Sequence, residues 1–107
     1  MATANKILGR VKPASITNTS LYTVPVVTQA NVNIFIANQG SGEDQIRVAI
    51  TPSGSALAAT DYIIYDIALA GNSSQQLTGI ALAASDFITV YSLNGTTSFV
   101  ATGIEIS

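Results

Sequence analysis

Cysteine and histidine are both absent from the 107 residues. Their absence removes disulfides, thiolate chemistry, the usual zinc sites and every Ser-His or Cys-His nucleophile pair, and with them most enzyme classes. Charge is scarce as well. The chain has four bases and six acids, where an ordinary soluble domain of this size carries about a quarter of its residues charged, or roughly 27. Such a surface is weakly defended against association, which favours a component packed beside other chains over an enzyme. Tryptophan is missing too. No run approaches the roughly 18 consecutive apolar residues of a membrane span. No run of about 7 to 15 apolar residues near the start resembles the core of a signal peptide. The chain is expected to be soluble, with no membrane association and no secretion by that route.

What is present is β-forming. Ile, Val and Thr dominate, in short runs separated by Gly, Pro, Asn and Ser clusters at the spacing of sandwiches and barrels. The 48% of apolar residues suffices for one core, and 107 residues make one domain. The runs predict strands over Ser20 to Val24, Asn31 to Asn38, Gln45 to Ile50, Asp61 to Ala68, Ser74 to Thr78, Asp86 to Leu93 and Thr97 to Ile106, with an optional strand in Asn5 to Val11. The fold class is all-β: a single antiparallel β-sandwich, jelly-roll-like. Three of the four bases, Lys6, Arg10 and Lys12, stand ahead of an acidic body, so residues 1–13 are expected as a short basic N-terminal arm and residues 14–107 as the sandwich domain. Three clustered bases without a basic stripe do not make a nucleic-acid surface.

Alternation marks the inner faces. Val32, Ile34 and Ile36 alternate with Asn31, Asn33 and Phe35, and Ile46, Val48 and Ile50 alternate with Gln45, Arg47 and Ala49. Asn94-Gly95 predicts a two-residue type I′ hairpin. Its register pairs Ser92 with Thr97 and Val90 with Phe99, and places Ile88, Val90, Phe99 and Ala101 in the core. The same phase would turn Glu105 inward, so a bulge at Thr102-Gly103 is predicted to reverse it.

No catalytic, cofactor or metal residues are assigned. An internal echo joins Ala56-Leu-Ala-Ala-Thr-Asp-Tyr-Ile63 to Ala81-Leu-Ala-Ala-Ser-Asp-Phe-Ile88. Its Thr60-Asp61 and Ser85-Asp86 steps read as turns that open strands rather than as a pair of catalytic carboxylates. Gly40-Ser-Gly-Glu-Asp44 lacks the regular oxygen spacing of a calcium loop and reads as a solvated tip. Tyr22, Tyr62, Tyr65 and Tyr91 could stack on sugars, or could simply cap the core. Phe35 falls on the face opposite its branched neighbours, where a second subunit would cover it. The candidate interface residues are therefore Phe35 together with Lys6, Ile7, Leu8, Arg10, Val11 and Lys12 of the arm. With so little surface charge, a homo-oligomer is expected, best a trimer.

Ala4-Asn-Lys-Ile-Leu-Gly9, Leu21-Tyr-Thr-Val-Pro25, Thr28-Gln-Ala30, Ile46-Arg-Val-Ala-Ile50, Asp61-Tyr-Ile-Ile-Tyr-Asp66 and Gly103-Ile-Glu-Ile-Ser107 resemble small virion proteins of tailed bacteriophages, including phages of cyanobacteria. The resemblance covers nearly the whole chain and lies in strand and turn patterns rather than chemical motifs. It implies a virion structural role without catalysis, akin to capsid decoration or cement proteins. The implied partners are the major capsid protein or other virion subunits, and the implied location is the virion, assembled in the host cytoplasm. The alternative is a tail, baseplate or fibre module, with possible glycan binding.

Overall fold

The computed structural model describes residues 3–107, and these form eight strands: β1 (Thr3–Val11), β2 (Thr19–Thr23), β3 (Gln29–Asn38), β4 (Asp44–Thr51), β5 (Tyr62–Leu69), β6 (Ser74–Leu82), β7 (Phe87–Ser92) and β8 (Thr97–Ile106). A 3-10 turn at Ala59–Asp61 precedes β5. The strands make two antiparallel sheets packed as a β-sandwich. Sheet A has the order β1-β8-β3-β6 and sheet B the order β2-β7-β4-β5. The pairing is nested: β1 with β8, β2 with β7, β3 with β6 and β4 with β5. The chain is in effect one long two-stranded ribbon, rolled so that β8 also pairs with β3 and β7 with β4.

Rolling the ribbon carries nearly every connection from one sheet to the other, and this overturns the predicted hairpin at Asn94-Gly95. β7 and β8 lie in different sheets and do not pair. Only Gly95 takes a positive φ, +72°, whereas a type I′ turn requires it at Asn94 as well. The step is an arch over the end of the sandwich. The inner faces survive the correction, since the side chains that would have shared one hairpin face meet across the core instead. Val32, Ile34, Ile36, Ile46, Val48, Ile88, Val90, Phe99 and Ala101 are all at most 1% exposed. Full burial of a Val, Ile or Phe side chain contributes roughly 1.5 to 3 kcal/mol, and these nine are the thermodynamic centre of the molecule.

The segment expected as an arm is not separate from the sandwich, because its optional strand forms. Residues 3–11 are an edge strand of sheet A, paired with β8 from Thr3↔Ile106 to Val11↔Phe99; Met1 and Ala2 lie outside the described residues. Leu8 and Val11 pack against the core, so the strand carries part of the sandwich's own apolar surface. Gly9 passes so close to β2 that a Cβ there would lie 2.2 Å from the Leu21 carbonyl oxygen.

The predicted bulge at Thr102-Gly103 is absent, because β8 runs in unbroken register along β3. The irregularity falls on β1, between Ile7 and Gly9. Glu105 consequently does turn toward the inner side, and two partners make this tolerable. The Tyr22 hydroxyl donates to Glu105 Oε2, and Lys6 Nζ lies 2.9 Å from Oε1. These donors hold the Glu105 carboxyl below its ordinary pKa, while burial and the adjacent carboxylate push the Tyr22 phenol up.

A buried polar cluster closes one end of the sandwich. Asp44, expected in a solvated tip, is 1% exposed. Its carboxylate accepts from the Ser92 hydroxyl, from Thr97 Oγ1 at 2.5 Å, and from the backbone amides of Gln45 and Asn94, both at 2.9 Å. Burial alone would raise its pKa; the hydroxyl and amide donors outweigh burial and hold it below the ordinary value. Asn38 complements it. Its Nδ2 donates to the carbonyls of Gly42 and Leu69, while its Oδ1 accepts from the Gly40 amide and the Thr96 hydroxyl. Loops 39–43, 70–73 and 93–96 are thereby joined.

Two predictions follow from this framework. Asp44→Asn replaces an acceptor of four bonds by a neutral amide that itself brings donors, so it should cost roughly 2 to 4 kcal/mol in chemical denaturation. Because the folded pKa of Asp44 is depressed, its contribution is present at neutral pH and is lost as pH falls below the unfolded value of about 3.9 toward the lower folded one. The wild type should therefore lose more stability between pH 5 and 2 than the variant, and parallel pH profiles would refute the assignment. Deletion of residues 2–12 should lower the denaturation midpoint sharply or prevent folding, since it uncovers the edge of β8 and part of the core; an unchanged midpoint would make β1 dispensable.

Candidate functional site

The two outer faces of the sandwich differ. On sheet A, cross-strand register sets Arg10, Val100, Phe35 and Gln76 in one row across β1, β8, β3 and β6. Ile7 stands opposite Thr102 in the neighbouring row. Ile7 is 64% exposed and Phe35 45%. The other outward positions of β3 and β8 are Gln29, Asn31, Asn33, Ala37, Ser98, Thr102, Ile104 and Ile106, all uncharged, and the charges at this face are Arg10 and Lys12, which line one hollow with Ser98 and Val100. A hollow of about 270 Å³ lies on one side of the Phe35-Val100 pair, bounded by Ser74 and Gln76. A second, of about 250 Å³, lies between Val100 and Arg10.

Of the seven residues singled out as an interface, the structure gathers four, Ile7, Arg10, Lys12 and Phe35, on this open face, with Lys12 just beyond the end of β1. Lys6 is engaged with Glu105, and Leu8 and Val11 pack on the chain's own core.

Sheet B is covered only in part, since its edge strand β5 still exposes Ile63 and Tyr65. Ala49 and Thr51 point away from the core by alternation, yet both are fully buried, and the loop of residues 52–61 folds back to Thr51 through the Asp61 carboxylate. The repeated Asp of the echo makes this possible. Asp61 accepts from the Ala58 amide and the Thr51 hydroxyl, and Asp86 from the amides of Ala83 and Ser53. Each carboxylate thus ties down the backbone amide three residues before it and one group of a neighbouring segment. The two acids are structural turn-formers. No group of three or more carboxylates among the described residues could hold a metal.

Beside that loop, register aligns Tyr65, Arg47 and Tyr91 across β5, β4 and β7. The Arg47 guanidinium carbon lies 4.4 Å from the Tyr65 ring centroid and 4.3 Å from that of Tyr91. Its Nε and Nη2 donate to the two carboxylate oxygens of Asp66 at 2.6 and 3.2 Å. By accepting these bonds Asp66 raises the Arg47 pKa further. Asp66 is an extra residue in β5, bulged between Tyr65↔Arg47 and Ile67↔Ile46, with φ of +54°. Aspartate tolerates this left-handed conformation better than most residues. Alternation in β4 placed Arg47 on the outer side, but the bulge that brings Asp66 to it leaves no mark in the sequence.

The four tyrosines divide. Tyr22 and Tyr91 are buried, whereas Tyr65 is 58% exposed and Tyr62 half-buried. Tyr62 and Tyr65 meet edge to face, with centroids 4.9 Å apart at 79°. With Asn18, Leu57, Ala58 and Ala59 they line an open pocket of about 550 Å³.

No family model matches the chain, and no curated protein is significantly similar to it. The arginine stack yields a prediction from geometry alone. Arg47→Lys keeps the charge but loses the two-pronged bond and the flat cation between two rings, and should cost about 1 to 2 kcal/mol. An unchanged denaturation midpoint would show the stack to be energetically idle.

Proposed function

We propose that the chain is a non-enzymatic virion structural protein, a capsid decoration or cement protein that docks the outer face of sheet A on neighbouring shell subunits. The observation that carries the reading is the Arg10-Val100-Phe35 row on an exposed sheet face whose charges, Arg10 and Lys12, lie at its β1 edge. Exposed apolar side chains rimmed by Asn, Gln, Ser and Thr form a contact surface that needs no charge complement. The resemblance of the strand and turn patterns to small virion proteins of tailed phages supports the same reading. So does the nested ribbon order, which we take as a jelly roll, a fold common among capsid proteins. A homo-oligomer, best a trimer, would cover Phe35 between copies and present the remaining rim to the shell. The major capsid protein is the partner and the virion the location.

The tyrosine pocket favours a second reading, a tail, baseplate or fibre module that meets glycans. Imaging of virions that carry the protein separates the two: density on the shell with sheet A toward the capsomers is expected, and density on the tail would overturn the decoration reading. Phe35→Asp should abolish attachment to particles. Phe35 lies outside the core, so the same variant should change stability by no more than about 1 kcal/mol. Attachment as tight as wild type would remove sheet A from the interface.

A further inference from the structure

We propose that the pocket on the outer side of sheet B is a binding site for a neutral saccharide, with the exposed Tyr65 ring as its stacking platform. The inference holds whether the protein sits on a head or a tail, because the pocket lies on the sheet opposite the proposed docking face.

The platform is preorganised. An exposed tyrosine ordinarily samples several rotamers, and a ligand that stacks on it must restrict them. Tyr65 is already fixed, with the Arg47 guanidinium 4.4 Å from its ring centroid and the Tyr62 ring at right angles to it at 4.9 Å. The residue nonetheless remains 58% exposed. Arg47 is held in turn by Asp66 and backed by the buried Tyr91 ring, so the platform rests on three strands.

The chemistry of the lining agrees. Two phenol rings at 79° make a corner, closed on the far side by Leu57, Ala58 and Ala59. The polar groups on offer are two phenol hydroxyls and the Asn18 carboxamide, which both donate and accept. No charged side chain lines the pocket, and the nearest cation, Arg47, is neutralised by Asp66. An anionic ligand such as a nucleotide would find no free cation, and a metal would find no free carboxylate. A wholly apolar segment would leave the carboxamide and hydroxyls unpaired. A pyranose suits all of these groups: its flat C–H face stacks on an aromatic ring while its hydroxyl rim seeks neutral donors and acceptors. The volume, about 550 Å³, falls within the usual range for small-ligand sites.

The test is an NMR titration of the full-length protein with the methyl glycosides of glucose, galactose and mannose. For at least one of them, saturable shifts at millimolar ligand are expected, confined to the residues around Tyr62, Tyr65 and Asn18. Tyr65→Ala should weaken binding at least tenfold while spectral dispersion shows the fold intact. Asn18→Ala, a change outside every strand, should weaken the same glycoside and serves as the second variant should the first unfold. Loss of glycoside binding with particle attachment retained would separate this site from sheet A. Absence of saturable shifts with all three sugars, shifts that survive both variants, or binding of a proline-rich peptide at the pocket with the sugars inert would each overturn the proposal.

Discussion

The buried carboxylate of Asp44 is the constraint on which the end of the sandwich depends. A chain that crosses between sheets at nearly every connection must turn where its backbone groups leave the ladders, and those groups still need partners. Asp44 meets the need for the β7–β8 arch through Ser92, Thr97 and the Asn94 amide. Asn38 meets it for the connections on either side. Ser15 and Ile16 of the β1–β2 connection close on the same arch through the carbonyls of Leu93 and Ser92. A single negative charge, fully surrounded by donors, thus fixes the arch on which the neighbouring connections close. An apolar residue at position 44 would leave the Ser92 and Thr97 hydroxyls and the Gln45 and Asn94 amides without this acceptor.

The inner faces were legible because alternation is a local property. Val32, Ile34, Ile36, Ile46 and Val48 could be assigned inward without knowing which strands pair, and the structure buries each of them. The echo of Asp61 and Asp86 was legible for the same reason, since each carboxylate acts on an amide three residues away. Pairing is not local. An Asn-Gly step between two β runs has the same sequence whether it joins neighbours in one sheet or arches between two. The choice was decided by β8 finding β1 and β3 rather than β7. Glu105 was misread for a related reason. Its partners Tyr22 and Lys6 stand 83 and 99 residues away, so an inward acid looked costly until the long-range register supplied both.

The two outer faces follow from the asymmetry of the connections. β4 and β5 are the consecutive strands that share a sheet, and their ten-residue link, residues 52–61, has no opposite sheet to reach. It folds back to Thr51 through Asp61, and its Leu57, Ala58 and Ala59 line the tyrosine pocket. Sheet A receives no such cover, because its strands are joined only through sheet B. One face is therefore without a covering link and the other notched.

The scarcity of charge goes further than the composition suggests. Seven of the ten charged residues are committed within the fold: Lys6 with Glu105, Arg47 with Asp66, and Asp44, Asp61 and Asp86 at turns and loop junctions. Among the described residues Arg10, Lys12 and Glu43 show no side-chain ion pair, and two of these lie at the end of β1. Such a surface has almost no long-range field. It cannot steer a partner from a distance, so association must rely on close contact, and added salt has few exposed pairs to screen. The interior use of charge and the weakly charged outer faces are two sides of one arrangement: three acids at turns and loop junctions and two ion pairs between strands take up most of the charge, and apolar and amide side chains are left outside.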